Sequence, residues 1–158
     1  MQSKRLSPVA ITGLIIAAVA VIFGIYGVST YNSLAKQNQE VTAQWSQVEN
    51  VMQRRADLIP NLVSAVKGSM NHETEIFDNI AKARSNYNNA TTTKAKATAD
   101  SQLQAQTANL ISVIKESYPK LSSQENVQTL MTQLEGSENR ISTERQRYIE
   151  DVKAYNQS

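Results

Sequence analysis

The chain has 158 residues, with sixteen Lys and Arg against fourteen Asp and Glu, one histidine and no cysteine. That length suits one small domain and an anchor, and the missing cysteines exclude disulfides, thiolate metal sites and cysteine nucleophiles. Lys4 and Arg5 precede the first apolar run, so residues 29–158 are formally neutral and lack the concentrated basic face that a nucleic-acid partner requires.

Residues 9–28, VAITGLIIAAVAVIFGIYGV, carry no charge. A helix of about 20 residues rising 1.5 Å per residue spans about 30 Å, the depth of a hydrocarbon core. Pro8 stands where a helix tolerates its missing N–H, and Tyr26 and Tyr31 stand at interface depth. A cleaved leader has a shorter apolar run ending at a small-x-small site. Here Ala18-Val19-Ala20 lies inside the run, so the segment reads as a retained single-pass anchor that meets the bilayer through residues 9–28. Lys4 and Arg5 then hold residues 1–8 in the cytoplasm and place residues 29–158 outside it.

Beyond the anchor the pattern reads as four helices. Val41, Trp45, Val48, Met52, Arg55, Ile59, Leu62 and Val66 recur at steps of 4 and 3, a heptad seam. Pro60 interrupts it and predicts a kink, because proline cannot donate to the carbonyl of Ala56. Gly68 offers a stop. Asn71 is a capping residue for a second helix, with Ile76, Ile80, Ala83 and Tyr87 inward. Residues 88–99 have no hydrophobic period and read as a mobile connection. A third helix runs over residues 100–117 with Leu103, Leu110, Ile111 and Ile114 inward, and Tyr118-Pro119 ends it. Ser122 and Glu125 have capping-box spacing. The fourth helix carries Val127, Met131, Leu134, Glu138, Ile141, Arg145, Tyr148, Val152 and Tyr155, again at steps of 4 and 3.

The expected fold is therefore all-α: a transmembrane helix followed by an antiparallel up-down-up-down helical bundle whose first and fourth helices are long. Short turns make neighbouring helices antiparallel. Residues 31–48 would lie against 141–157 as a two-helix stalk. The same register brings Arg55 near Glu135 and Glu138, and Trp45 near Arg145, for an ion pair and a cation–π contact. Polar seam residues that only set register and turn their tips to solvent are the other reading.

No catalytic set emerges. His72-Glu73 lacks the second histidine that a zinc-protease helix places four residues on, since position 76 is Ile. No nucleophile elbow or phosphate loop is present, and Glu73, Glu75 and Asp78 read as exposed first-turn carboxylates. We expect no enzymatic activity, no metal and no cofactor.

The dense motif is RRADLIPNLVSAVKG, residues 54–68. Arginines, an acid and a proline inside an apolar seam are a costly way to build a bundle. Two uses stand for it. Arg54, Arg55 and Asp57 satisfy one another and the fourth helix, or the exposed sides of Arg54 to Asn61 form an interaction surface. With Tyr31-Asn32, Trp45-Ser46, His72-Glu73, Ala83-Arg84, Tyr118-Pro119, Glu138-Asn139-Arg140-Ile141, Arg145 and Tyr148, the motif resembles the LemA family of bacterial membrane proteins. The resemblance implies a single-pass protein of the bacterial inner membrane with a four-helix domain and no enzymatic activity. Family members usually continue past Tyr155-Asn156, often with a Phe-Pro, whereas this sequence stops at Ser158.

Two functions follow as expectations. The first is a membrane-anchored scaffold or assembly protein that forms a homo-oligomer. The second is an accessory or substrate protein docking on another membrane protein, such as a membrane protease. The residues singled out are Trp45, Arg54, Arg55, Asp57, Pro60, Asn61, Glu138 and Arg145.

Overall fold

A computed structural model describes residues 8–157. Lys4 and Arg5, on which the expected orientation rests, and Ser158 lie outside the described residues. All regular structure among the described residues is helical. Helix α1 spans Pro8–Val66, and a 3₁₀ turn over Lys67–Ser69 follows it. Then come α2 (Thr74–Asn89), α3 (Thr93–Ser117), the single turn α4 (Pro119–Ser122) and α5 (Glu125–Gln157).

The chain forms two compact units. One takes α1 up to Gln44 together with α5 from Tyr148 onward. Its α1 segment is long and apolar enough to cross a membrane, and its apolar side chains are exposed, Phe23 by 74%. The hydroxyl of Thr12 donates to the Pro8 carbonyl at 3.0 Å, so this polar group is satisfied inside its own helix. Further along, Leu34, Gln37, Val41 and Gln44 are half-buried at steps of 3, 4 and 3. Tyr148, Asp151 and Val152 are half-buried on α5.

The second unit is Trp45–Arg147 and holds the core. Val48, Met52, Ile59, Leu62 and Val66 of α1 are fully buried, as their heptad spacing requires. From α3 and α5, Leu103, Leu110, Ile114, Val127, Met131, Leu134 and Ile141 join them. On α2 the inner face is Phe77, Ile80, Ala83 and Tyr87, so Phe77 takes the place expected for Ile76, which is half-buried.

Three local expectations change. Residues 88–99 are mostly helix rather than a mobile connection. Helix α2 continues to Asn89, and α3 starts at Thr93 with Thr92 as its N-cap, whose hydroxyl accepts from the Ala95 N–H at 3.2 Å. Alanine-rich sequence has high helix propensity, and a cap suffices to start it where one face is solvated. At α2, the N-cap is Glu73 rather than Asn71, and its side chain instead accepts from the Tyr118 hydroxyl at 3.3 Å. Before α5, Ser122 ends α4 rather than capping, and α5 begins at Glu125. Helix α1 continues past Pro60 to Val66.

Candidate functional site

The site grows from one acid. With α3 running from Thr93, Asp100 falls on its inner face beside Ala99 and Leu103 and is completely buried. Arg55, on the α1 seam, is 2% exposed and meets it. Arg55 Nη2 lies 2.5 Å from Asp100 Oδ1, close enough for an ion pair but not aligned for a hydrogen bond, and it donates to the Asp100 carbonyl at 3.2 Å. Arg55 Nη1 donates to Glu138 Oε2 on α5 at 2.5 Å. Arg145 Nη2 donates to the other Asp100 oxygen, Oδ2, at 2.8 Å. It also reaches the Ala97 carbonyl at 3.4 Å and Met52 Sδ at 3.6 Å.

Two guanidiniums and two carboxylates thus alternate, Arg145–Asp100–Arg55–Glu138, across three helices. Formal charge cancels within the chain of contacts, which a low-dielectric setting demands. Among the described residues, Arg55 Nε and Arg145 Nε complete no hydrogen bond. The same burial acts on Tyr87, whose hydroxyl likewise has no partner among them. Its pKa is pushed up to about 12, first by burial and then by the nearby carboxylates of Asp100 and Glu49, with Arg55 opposing. Lys96 sits 4.0 Å from the centre of the Tyr87 ring and donates to the Tyr87 carbonyl at 3.1 Å.

Pro60 has its own solution. Lacking an N–H, it leaves the Ala56 carbonyl without its helical donor. Arg84 Nε on α2 donates to that carbonyl at 3.3 Å. The proline therefore becomes a fastening point between α1 and α2.

The residues singled out from sequence separate into two groups. Arg55, Glu138 and Arg145 are brought together, and the Arg55–Glu138 pair forms as expected. Glu135 pairs instead with Lys115 at 2.5 Å. Arg145 has Asp100 as its counter-ion, and Trp45 is half-buried. Asp57 does not satisfy the arginines. It is exposed and accepts from Gln53 Nε2 at 2.9 Å, because a residue two positions after Arg55 points away from the seam. Arg54 and Asn61 are also exposed, and Pro60 is half-buried.

Asp100 is the residue that sequence reasoning missed. The signal was present: Asp100, Leu103, Thr107, Leu110 and Ile114 step by 3 and 4. Two seam arginines against one seam glutamate also called for a second buried acid.

Two grooves flank this network. One, of about 400 Å³, lies between α3 and α5, with Arg55, Ile111 and Leu134 in its walls and the Lys115–Glu135 pair at its side. The other, of about 230 Å³, lies between α1 and α5 and is lined by Arg54, Arg140 and Gly136 among others. No group of acids and imidazole able to hold a metal occurs among the described residues.

The model of the LemA family matches residues 44–158. The chain belongs to the LemA family. The match covers the whole charge network, from Arg55 through Asp100 and Glu138 to Arg145. No curated protein matches this LemA chain.

Proposed function

We propose that this LemA protein is a non-enzymatic scaffold, anchored in the bacterial inner membrane by α1 and self-associating. Its N-terminus would be cytoplasmic and its helical domain on the extracytoplasmic side. The observation that carries this reading is the closed charge network. Arg55, the buried charge of the motif, is consumed by Asp100 and Glu138 in the core, and Arg145 by Asp100, so their chemistry serves to register helices. In this reading α1, α2, α3 and α5 form an antiparallel up-down-up-down bundle. Supporting it, contacts descend α5 as they ascend α3, with Asp100 on Arg145 and Lys115 on Glu135. The half-buried seam at Leu34, Gln37 and Val41 would take copies of the same helix pair.

Cross-linking of the full chain in its membrane, followed by mass measurement in detergent, tests the scaffold. A discrete oligomer is expected, and a strict monomer at cellular concentration would overturn it. Because the chain has no cysteine, one introduced at Asn126 reports topology by its access to an impermeant maleimide.

A second reading, docking on another membrane protein, is favoured by one observation. Arg54 is exposed and makes no ion pair or hydrogen bond among the described residues, although it belongs to the same motif.

A further inference from the structure

We propose that the groove between α1 and α5 is a docking site for an acidic helical segment of another protein, whose carboxylates bridge Arg54 and Arg140. This rests on the docking reading above and names its place and chemistry. The walls are helical ridges in matching steps, Val51, Arg54 and Leu58 on one side and Gln133, Gly136 and Arg140 on the other. Such a trough accepts the side of a further helix.

The charge is concentrated at one level. Arg55 pairs with Glu138, so Arg54 and Arg140, their near neighbours in sequence, stand at about the same height on the two helices. Neither makes an ion pair or hydrogen bond among the described residues, and two like charges lining one groove invite an anion between them. Val51 and Leu58 add an apolar wall beside it.

The volume, about 230 Å³, suits a few side chains. It is below the ~300–1,000 Å³ typical of small-molecule sites.

Gly136 points the same way. A Cβ there would meet nothing within 4 Å, and its φ is not positive, so neither packing nor backbone geometry requires glycine. Glycine inside a helix weakens it. A bare Cα beside Arg140 instead lets another chain approach closely.

The test uses the full chain in its own membrane, with photoreactive benzoylphenylalanine in place of Gln133. Irradiation should give an adduct with one other protein, through a peptide carrying Asp or Glu within a helical turn of the attachment point. The double variant Arg54→Glu/Arg140→Glu should lower the adduct by about tenfold or more, and exchanging the partner's acids for Lys should restore it. Gly136→Leu should also lower the adduct while the melting temperature holds or rises, which separates occlusion of the groove from unfolding. An adduct with lipid, with a second copy of this chain, or none at all overturns the proposal. So does an adduct indifferent to the arginine reversals. Oligomer size is measured on the same sample. If the assembly persists without the adduct, the groove proposal fails and the scaffold stands.

Discussion

Arg84 on α2 donates its Nε–H to the backbone carbonyl of Ala56 on α1, the carbonyl that Pro60 leaves without a donor. Ala56 is 1% exposed, so no solvent replaces the missing bond. Removing a charged donor from a buried acceptor costs about 1–3 kcal/mol. Arg84→Leu should destabilise the protein by that amount in urea unfolding followed by circular dichroism. Pro60→Ala restores an N–H able to bond to Ala56. In the double variant the loss from Arg84→Leu should shrink by about half or more, a coupling that a double-mutant cycle measures. Additive losses would show that the two residues act independently.

Asp100 carries the charge balance of the core. Asp100→Asn leaves Arg55 buried with only the half-exposed Glu138 opposite it. Breaking a buried pair in this way costs about 3–5 kcal/mol. Glu138→Gln should cost less, because its side chain is 38% exposed and Asp100 stays in place. Replacing Arg55, Asp100 and Arg145 together by Met, Leu and Met should recover most of the stability, since a packed apolar cluster avoids desolvating charge. Chemical denaturation of the three variants provides the ranking.

Tyr87 makes stability depend on alkaline pH. Its folded pKa of about 12 lies above the ordinary tyrosine value of 10.0, so the fold prefers the neutral phenol. The stabilisation is therefore complete below pH 10 and is lost as pH rises from 10 to about 12. The slope is about 1.4 kcal/mol for each pH unit at most. Tyr87→Phe should remove this slope. It should also be neutral or stabilising at pH 7, because the buried hydroxyl has no partner among the described residues. Melting curves at several pH values for the two proteins decide it.

Thr92 starts α3 through its bond from the Ala95 N–H. Thr92→Ala should cost about 1 kcal/mol, as lost N-caps do. Hydrogen exchange should show amides of residues 95–98 losing protection first, with the core amides of Leu103 and Leu110 following only in global unfolding.

Much of this was legible from residue spacing. An uncharged run of twenty residues marks a helix long and apolar enough to cross a membrane, because length and composition alone decide that property. Steps of 4 and 3 mark Val48, Met52, Ile59, Leu62 and Val66 as core, since helical geometry alone brings such positions to one face. Family membership followed from the motif around Pro60, and the expected register brought Arg55 to the stretch of α5 that holds Glu135 and Glu138. Partner choice was not legible. Arg55 could have met Asp57, Glu135 or Glu138, and sequence spacing carries no information on which acid lies across a helix boundary. That Asp100 receives both arginines depends on α3 extending well before it, so that Asp100 shares the inner face with Leu103. That Arg84 relieves Pro60 depends on how α2 packs on α1. Local periodicity is a property of one helix, whereas the pairing of buried charges is a property of three helices meeting at once.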